Sequence, residues 1–266
     1  MRFSLSRWLR PEMSECTVCG RMADARSNAV PVPVRHPAAR EILQQLCMGC
    51  RSSIPWIGAP VCRYCGRPEF CPDCPRRQDK QMAFCRCAVR YDDRMRDMLA
   101  LYKYRGSERL EPVLAAMLAA AFERVCSELG GRDAAHIFQA VTAVPLAEER
   151  LDDRGFNQAE RMAVSLSQWY GVAYLPLLQR VRHTEKQSLK TRRSRIVDMK
   201  GNFVADRDVM GRIPFAGVSR FRILLIDDIY TTGSTVNECA RALKDALAEA
   251  GVASEPEVYG ALWARS

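Results

Sequence analysis

The stretch that decides the fold is ILLIDDIYTTGST, residues 223–235. Its first four residues are all apolar, a pattern typical of a strand buried on both faces. Two acids follow, and then a turn rich in threonine and glycine that leads into a helical pattern near Ser234. In parallel sheets, ligands bind at the carboxyl ends of the strands. We therefore expect this turn to lie at a ligand site.

The order of side chains in the turn indicates what the ligand is. Backbone N–H groups and hydroxyls at the start of a helix favour a phosphate, and Gly233 lets the backbone approach it closely. Asp227 and Asp228 would repel a phosphate, but they would accept hydrogen bonds from the vicinal hydroxyls of a sugar. We predict a sugar at the acids and its phosphate at the turn. The alternative is a helix-capping turn without a ligand.

The chain after residue 91 alternates helical and strand patterns. Helices are predicted over residues 92–104, 112–130 and 234–251, with another from about residue 157, and strands over 139–145, 221–226 and 256–264. Alternation of this kind predicts an α/β fold, a parallel sheet with helices on both faces. We assign residues 89–266 to this domain and residues 1–88 to a small zinc-binding module that resembles a zinc ribbon.

The small module is predicted from its cysteines. Of the twelve cysteines, eight form four C-x-x-C pairs within 59 residues. Two thiolates at this spacing can face one Zn²⁺, and two pairs complete a tetrahedron; a set of redox dithiols is the alternative. Sequential pairing, interleaved pairing and a single occupied site all remain open, so one or two structural zinc ions are expected. The predicted ligands are Cys16, Cys19, Cys47, Cys50, Cys62, Cys65, Cys71 and Cys74.

The positive charge is concentrated in the same module. Residues 1–90 contain 15 Lys and Arg against 7 Asp and Glu, a balance of +8 within a total of +9. This asymmetry indicates a polyanionic partner such as a nucleic acid, with a solvated surface as the alternative. Two zinc–tetrathiolate centres, each of formal charge about −2, would lower the balance to about +4. We see neither a secretory signal nor a membrane span, and we expect a cytoplasmic protein.

Several motifs together resemble a known family. Residues 223–235 resemble the 5-phosphoribosyl-1-pyrophosphate (PRPP) signature of type I phosphoribosyltransferases. The stretches VPLAEERLDDRGFNQAERMA (144–163), RHTEKQSLKTRRSRIVDMKGNF (182–203) and LYKYRG (101–106) resemble the competence protein F (ComF) family. The resemblance covers nearly the whole chain. It implies a double zinc ribbon joined to a type I phosphoribosyltransferase domain and a link to DNA uptake in natural transformation.

The resemblance also implies roles for particular residues. Asp227 and Asp228, the predicted catalytic pair, would hold the ribose hydroxyls directly or through Mg²⁺. The turn after the strand at 139–145 is well placed for the pyrophosphate, and so is a basic loop near residue 190. The alternative is that both are ordinary charged loops, and that Asn157 in the first of them is a helix N-cap. The predicted PRPP-binding residues are Thr231, Thr232, Gly233, Ser234, Thr235, Arg150, Arg154, Asn157, Gln158, Lys186, Gln187 and Arg192.

Two functions follow from these features. The first is a ComF-type phosphoribosyltransferase-family protein that binds PRPP with Mg²⁺ and acts in DNA uptake; its acceptor, and whether it turns over, are not indicated. The second is an adaptor that handles single-stranded DNA and senses PRPP without catalysis. The expected partners are PRPP or a related ribose-phosphate, single-stranded DNA and DNA-uptake helicase proteins. Aromatic residues available for stacking, or else for the core, are Trp8, Trp56, Tyr64 and Phe70.

Overall fold

The computed structural model describes residues 13–24, 30–104, 107–131, 133–181, 201–213, 220–251 and 256–266. The strands in this part of the chain are β1 (Met13–Glu15), β2 (Met22–Asp24), β3 (Phe84–Arg90), β4 (Ala140–Ala143), β5 (Leu178–Arg180), β6 (Phe203–Ala205), β7 (Arg222–Tyr230) and β8 (Glu257–Arg265). The helices are α1 (Pro37–Gln44), α2 (Met48–Ser52), α3 (Asp93–Tyr104), α4 (Glu111–Glu128), α5 (Glu148–Arg154), α6 (Gln158–Tyr170), α7 (Arg207–Met210) and α8 (Ser234–Glu249).

The central sheet has four parallel strands in the order β3-β8-β7-β4. Strand β7 continues to Tyr230, four residues beyond the predicted end at residue 226, because β8 pairs with it as far as Arg265. Strand β4 stops earlier, and its last residue, Ala143, pairs with Ile226. The acids that follow Ile226 therefore belong to β7 but lie beyond the end of its neighbour β4.

Helices cover both faces of the sheet. On one face, α4 packs against β3 and β8, and α6 packs against β4 and β7. On the other face, α8 packs with the small antiparallel pair β5–β6 against alternate residues of the sheet. The residues of β7 from Ile223 to Ile226 are fully buried between these layers. The predicted fold class is confirmed: a parallel α/β domain with helices on both faces, preceded by a cysteine-rich module.

The cysteine-rich segment is divided between the two faces. Residues 30–54, with α1 and α2, join the core on the α4 side of the sheet, whereas residues 57–82 join the core on the α8 side. The predicted domain boundary between residues 88 and 89 falls within β3, which pairs with β8 over its length. We keep the two-part division as a proposal and place its boundary before Phe84.

A buried carboxylate fastens the first part of this segment to α4. Glu123 is 6% exposed. Its carboxylate accepts hydrogen bonds from the backbone N–H groups of Arg35 and His36, at 2.8 Å each, and from the Tyr170 hydroxyl at 2.7 Å. These bonds join three separate stretches of chain at one buried charge. Within the described ranges, no helix is long and apolar enough to cross a membrane.

Candidate ligand site and cysteine clusters

The acid pair lies at the open end of the sheet. Asp227 and Asp228 are both half-buried, and the backbone N–H of Asp228 donates to the Asp227 carboxylate at 2.9 Å. Burial, followed by the neighbouring charge of Asp228, raises the pKa of Asp227 well above its ordinary value. The structure thus places two adjacent carboxylates where only part of their charge is hydrated, and a cation or sugar hydroxyls would stabilise them.

A lysine that the sequence analysis did not assign forms an ion pair with this acid pair. Lys103, at the end of α3, has a side chain only 13% exposed and contacts the Asp228 carboxylate. The next residue, Tyr104, accepts a hydrogen bond from Arg154 at 2.9 Å, and the Arg154 guanidinium lies 4.9 Å from the Tyr104 ring centroid. Consecutive residues of α3 therefore connect the acids to the predicted pyrophosphate turn. The sequence feature that could have indicated Lys103 is the motif LYKYRG, from which no role for the lysine was predicted.

The turn after β7 has the conformation that the predicted phosphate site needs. Gly233 has φ +75°, and a Cβ atom there would lie 2.1 Å from the hydroxyl of the buried Tyr230. No residue with a side chain fits this position without moving that ring. Helix α8 begins at Ser234, and its first N–H groups face the turn without intrahelical partners. The Thr232 and Ser234 hydroxyls lie 2.9 Å apart, close enough to share one ligand.

Two arginines from outside the motif hold the backbone of this turn. Arg265, at the end of β8, is 4% exposed and donates to the carbonyl oxygens of Tyr230 and Thr231 at 3.0 and 3.1 Å. Arg77 donates to the carbonyl oxygen of Thr232. Neither arginine was predicted, because their contacts cross 34 and 155 residues of sequence. Three successive carbonyl oxygens of the turn thus have arginine donors, and the N–H of Ser234 donates to the Thr232 hydroxyl at 3.4 Å.

The predicted pyrophosphate residues follow β4, the neighbour of β7. Arg150 is exposed on α5, and Arg154, the last residue of α5, donates to Gln158 at 3.0 Å. Asn157 caps α6: it accepts from the N–H of Ala159 at 3.0 Å and donates to a carbonyl at the end of β4. Binding of pyrophosphate by Asn157 stays a prediction that would compete with these bonds. The remaining candidates lie outside the described residues; they are Lys186, Gln187 and Arg192.

The eight predicted cysteine ligands form two groups, in the sequential pairing. One group is Cys16, Cys19, Cys47 and Cys50, and the other is Cys62, Cys65, Cys71 and Cys74; within each group all four sulfur atoms lie within 4.8 Å of one another. The Sγ–Sγ distance is 3.6 Å between Cys19 and Cys47 and 3.7 Å between Cys65 and Cys71. A tetrahedral site with Zn–S bonds of about 2.3 Å requires about 3.8 Å. Both groups could therefore hold a structural zinc ion.

Backbone geometry prepares one thiol in each group for metal binding. Burial alone would raise the pKa of Cys71, but hydrogen bonds from the backbone N–H groups of Cys74 and Asp73 lower it to about 7. Burial is likewise opposed by backbone hydrogen bonds at Cys16, whose pKa is also lowered to about 7. Burial and neighbouring thiols instead raise the pKa values of Cys50 and Cys74. A bound metal ion would remove this difference between the thiols, because it would hold each cysteine as the thiolate.

The fold and the site define a class of protein: a parallel α/β protein with two tetracysteine clusters and an acid pair followed by a glycine turn at the carboxyl end of its sheet. Competence protein ComFC of Streptococcus pneumoniae is 30% identical over 208 residues, covering 77% of this chain and 83% of that protein. Competence protein ComFC of Bacillus subtilis is 28% identical over 225 residues, covering 79% and 82%. The chain belongs to the ComF family of competence proteins.

Two other comparisons add little. No protein-family model matches the chain. A solved structure, described as the structure of the allosteric regulatory enzyme of purine biosynthesis, is 19% identical with a TM-score of 0.27, and 46% of this chain and 21% of that chain are covered. A similarity this low does not establish a common fold.

The raised pKa of Asp227 predicts how its replacement changes stability. The folded state disfavours the ionised carboxylate, so stability is lost as the pH rises from the ordinary Asp value through the raised one. Asp227→Asn should therefore raise the Tm of the ligand-free protein at pH 8, and this gain should shrink as the pH falls toward 4. Thermal unfolding across pH measures it, with Asp245→Asn, exposed on α8, as the control. A Tm gain that is constant with pH would contradict the assignment.

Proposed function

We propose that the acid pair and the glycine turn bind PRPP together with Mg²⁺. The observation that supports this proposal most directly is the order of groups at the end of β7 and after it. Two half-buried carboxylates come first, followed by a glycine in the left-handed conformation and the N-terminus of α8. A ribose 5-phosphate presents hydroxyls and phosphate in the same order. The resemblance to the PRPP signature of type I phosphoribosyltransferases agrees with this order.

Each part of the site would have its own task. Asp227 and Asp228 would orient the ribose hydroxyls, directly or as oxygen ligands of Mg²⁺, which prefers carboxylates. The turn from Thr231 to Thr235 would bind the 5′-phosphate through N–H groups and hydroxyls. Arg154, already positioned by Tyr104, would face the pyrophosphate with its guanidinium. When bound, Mg²⁺ supplies charge neutralisation for the pyrophosphate.

Lys103 has a distinct task in this proposal. Without a ligand, its ammonium neutralises Asp228, the second acid of the pair. Binding of a magnesium–PRPP complex would bring a second positive charge to the same carboxylate, so Lys103 would turn from Asp228 toward the incoming phosphates. Lys103 would thus keep the acids from repelling each other before the ligand arrives.

The role in the cell is proposed from the relatives. The proteins from S. pneumoniae and B. subtilis are named competence proteins, and the chain matches most of their length. We propose that this chain acts in the same process, the uptake of DNA during natural transformation, and that it binds PRPP in that role. The proposal concerns the donor site and leaves the acceptor undefined.

We also propose that both cysteine clusters hold zinc. The supporting observations are the sulfur spacings near the tetrahedral value and the presence of one thiol with a lowered pKa in each cluster. Such centres would be structural, since four thiolates leave no open position for a substrate.

Calorimetry with PRPP tests the first proposal. The wild type should bind PRPP more tightly with Mg²⁺ than without it. Asp227→Asn/Asp228→Asn should weaken binding on the order of 100-fold, because two charge-assisted interactions are lost. Asp245→Asn, exposed on α8, is the matched control and should bind as the wild type does. Absence of binding by the wild type, or equal binding by the double variant, would overturn the proposal.

Elemental analysis tests the zinc proposal. The purified protein should contain two zinc ions per chain, and either Cys47→Ser or Cys71→Ser should reduce the number to one. Cys126→Ala removes a buried cysteine of α4 that belongs to neither cluster, and should leave two. Zinc affinity should fall as the pH falls from 8 to 6, because the thiols must release protons to bind. A metal content unaffected by the two serine variants would contradict the assignment.

One observation favours the adaptor function as a second candidate. Phe70, in the loop of the second cluster, is 79% exposed, whereas Trp56 and Tyr64 are partly buried against the core; Trp8 lies outside the described residues. An exposed aromatic ring in a basic module is suited to stacking with a base of single-stranded DNA.

Binding of single-stranded DNA at several salt concentrations tests this candidate. The logarithm of affinity should fall with a slope of about −0.7 for each phosphate contacted. Phe70→Ala should weaken binding about tenfold without changing the slope, because stacking is not ionic. Val61→Ala, which removes another exposed apolar side chain of the same module, is the control. A slope near zero would exclude the adaptor function.

A further inference from the structure

We propose that the second cysteine cluster (Cys62, Cys65, Cys71 and Cys74) stabilises the conformation of the turn at residues 230–235. Arg77 and Arg265 would link the cluster to the backbone of that turn. The clusters of the double zinc ribbon would then have different tasks. The identity of the ligand rests on the proposed function, but the coupling between cluster and turn can be measured without any ligand.

Arg265 makes the most direct connection. One nitrogen of its guanidinium lies 3.9 Å from the Cys65 sulfur, and another donates to the carbonyl oxygens of Tyr230 and Thr231. The guanidinium also lies 4.7 Å from the centroid of the Tyr230 ring, the ring that packs against Gly233. One guanidinium group thus contacts the cluster, the carbonyl oxygens of the turn and the ring beside Gly233.

Arg77 makes a second connection, independent of the first. It lies three residues after the cluster ligand Cys74, at the end of a short 3₁₀ turn over Cys74–Arg76. Its side chain crosses to the turn and donates to the Thr232 carbonyl. Since this carbonyl and the N–H of Gly233 belong to one peptide unit, Arg77 determines which way that N–H faces. Orientation of a backbone N–H group is what a phosphate turn requires.

The same segment also contacts the helix that follows the turn. Asn237, in the first turn of α8, accepts hydrogen bonds from the backbone N–H of Gln81 at 2.9 Å and from the Tyr64 hydroxyl at 3.4 Å. Arg241, one turn further on, pairs with Asp79. Residues 64–81 thus contact the turn and the start of α8 through three side chains and one backbone N–H. The position of the helix N-terminus depends on this segment as well.

The shape of this segment depends on its cluster. Between residues 57 and 82 its only regular element is the 3₁₀ turn Cys74–Arg76, so no α-helix or β-strand of its own fixes its shape. The close approach of Gly66 to the backbone of β3 adds one contact, in which a Cβ atom would lie 2.8 Å from the Cys85 carbonyl oxygen. The backbone N–H of Cys85 also donates to the Tyr64 carbonyl at 2.7 Å, and four sulfur ligands on one ion would cross-link residues 62–74. Loss of that ion should loosen Arg77 and Tyr64 together.

The first cluster provides an internal comparison. Cys16 and its partners join the core on the opposite face of the sheet, with α1 and α4. Loss of a metal ion there should loosen the packing around Glu123 and Arg35 rather than the turn after β7. The two clusters have the same number of cysteines and similar distances between their sulfur atoms, and they differ in what their segments contact.

Hydrogen exchange of the ligand-free full-length protein tests the coupling. Cys71→Ser should lose one zinc ion and speed amide exchange at residues 231–237 at least tenfold, whereas Cys47→Ser should lose the other zinc ion with less than a twofold change there. Arg77→Ala, which retains all eight cysteines, should speed exchange at the same amides without loss of zinc. Arg76→Ala, at the exposed neighbouring position, is its control. Equal exchange in Arg77→Ala and wild type would overturn the proposal.

Calorimetry with PRPP and Mg²⁺ then separates this proposal from the proposed function. Arg77→Ala should raise the Kd about tenfold while Arg76→Ala leaves it unchanged. If the wild type does not bind PRPP but the exchange differences appear, the coupling stands and the ligand assignment fails. If the wild type binds PRPP and Arg77→Ala changes neither exchange nor Kd, the ligand assignment stands and the coupling is wrong.

Discussion

The ion pair between Lys103 and Asp228 is the interaction on which the rest of the site depends. Strand β7 passes through a fully buried core and then presents two carboxylates in succession, beyond the end of β4. Burial and the neighbouring charge of Asp228 disfavour the ionised form of Asp227 and raise its pKa. A single ammonium from α3 offsets part of this cost, and it leaves the pair dependent on a further cation or on hydroxyl donors. That residual demand is the reason to expect a ligand.

On the proposed function, the turn that follows the acids binds an anion, whereas the acids bind a cation or hydroxyl donors. If the N–H groups of the turn bind an anion, as we propose, its carbonyl oxygens need other donors. Arg77 and Arg265 supply those donors, and both belong to the structure around the second cysteine cluster. This arrangement explains why the segment around the second cluster is packed against the α8 side of the α/β domain. On this account the segment supports the ligand site in addition to any contact of its own with nucleic acid.

The features that could be predicted from the sequence are those encoded by neighbouring residues. The apolar run of β7, the glycine at the left-handed turn and the cysteine spacings each act over a few positions. The structure confirms the strand and the fold class, and it shows the sequential grouping among those that the cysteine spacings left open. Contacts made by Lys103, Arg77 and Arg265 depend on how distant segments meet, and single arginines or lysines give no local pattern. The end of β7 was misplaced because pairing with β8, rather than hydrophobicity, extends the strand to Tyr230. Asn157 shows a third case, in which the residue has the predicted N-cap geometry and its ligand role remains a prediction.

A crystal structure of the full-length protein with PRPP and Mg²⁺ would test the central claim most directly. The account predicts the 5′-phosphate at the N–H groups of residues 232–235, the ribose hydroxyls or Mg²⁺ at Asp227 and Asp228, and Lys103 displaced from its present partner. Arg77 and Arg265 should keep their bonds to the carbonyls of the turn. A ligand bound with its phosphate elsewhere, or an unchanged Lys103–Asp228 pair beside an empty turn at saturating PRPP, would contradict it.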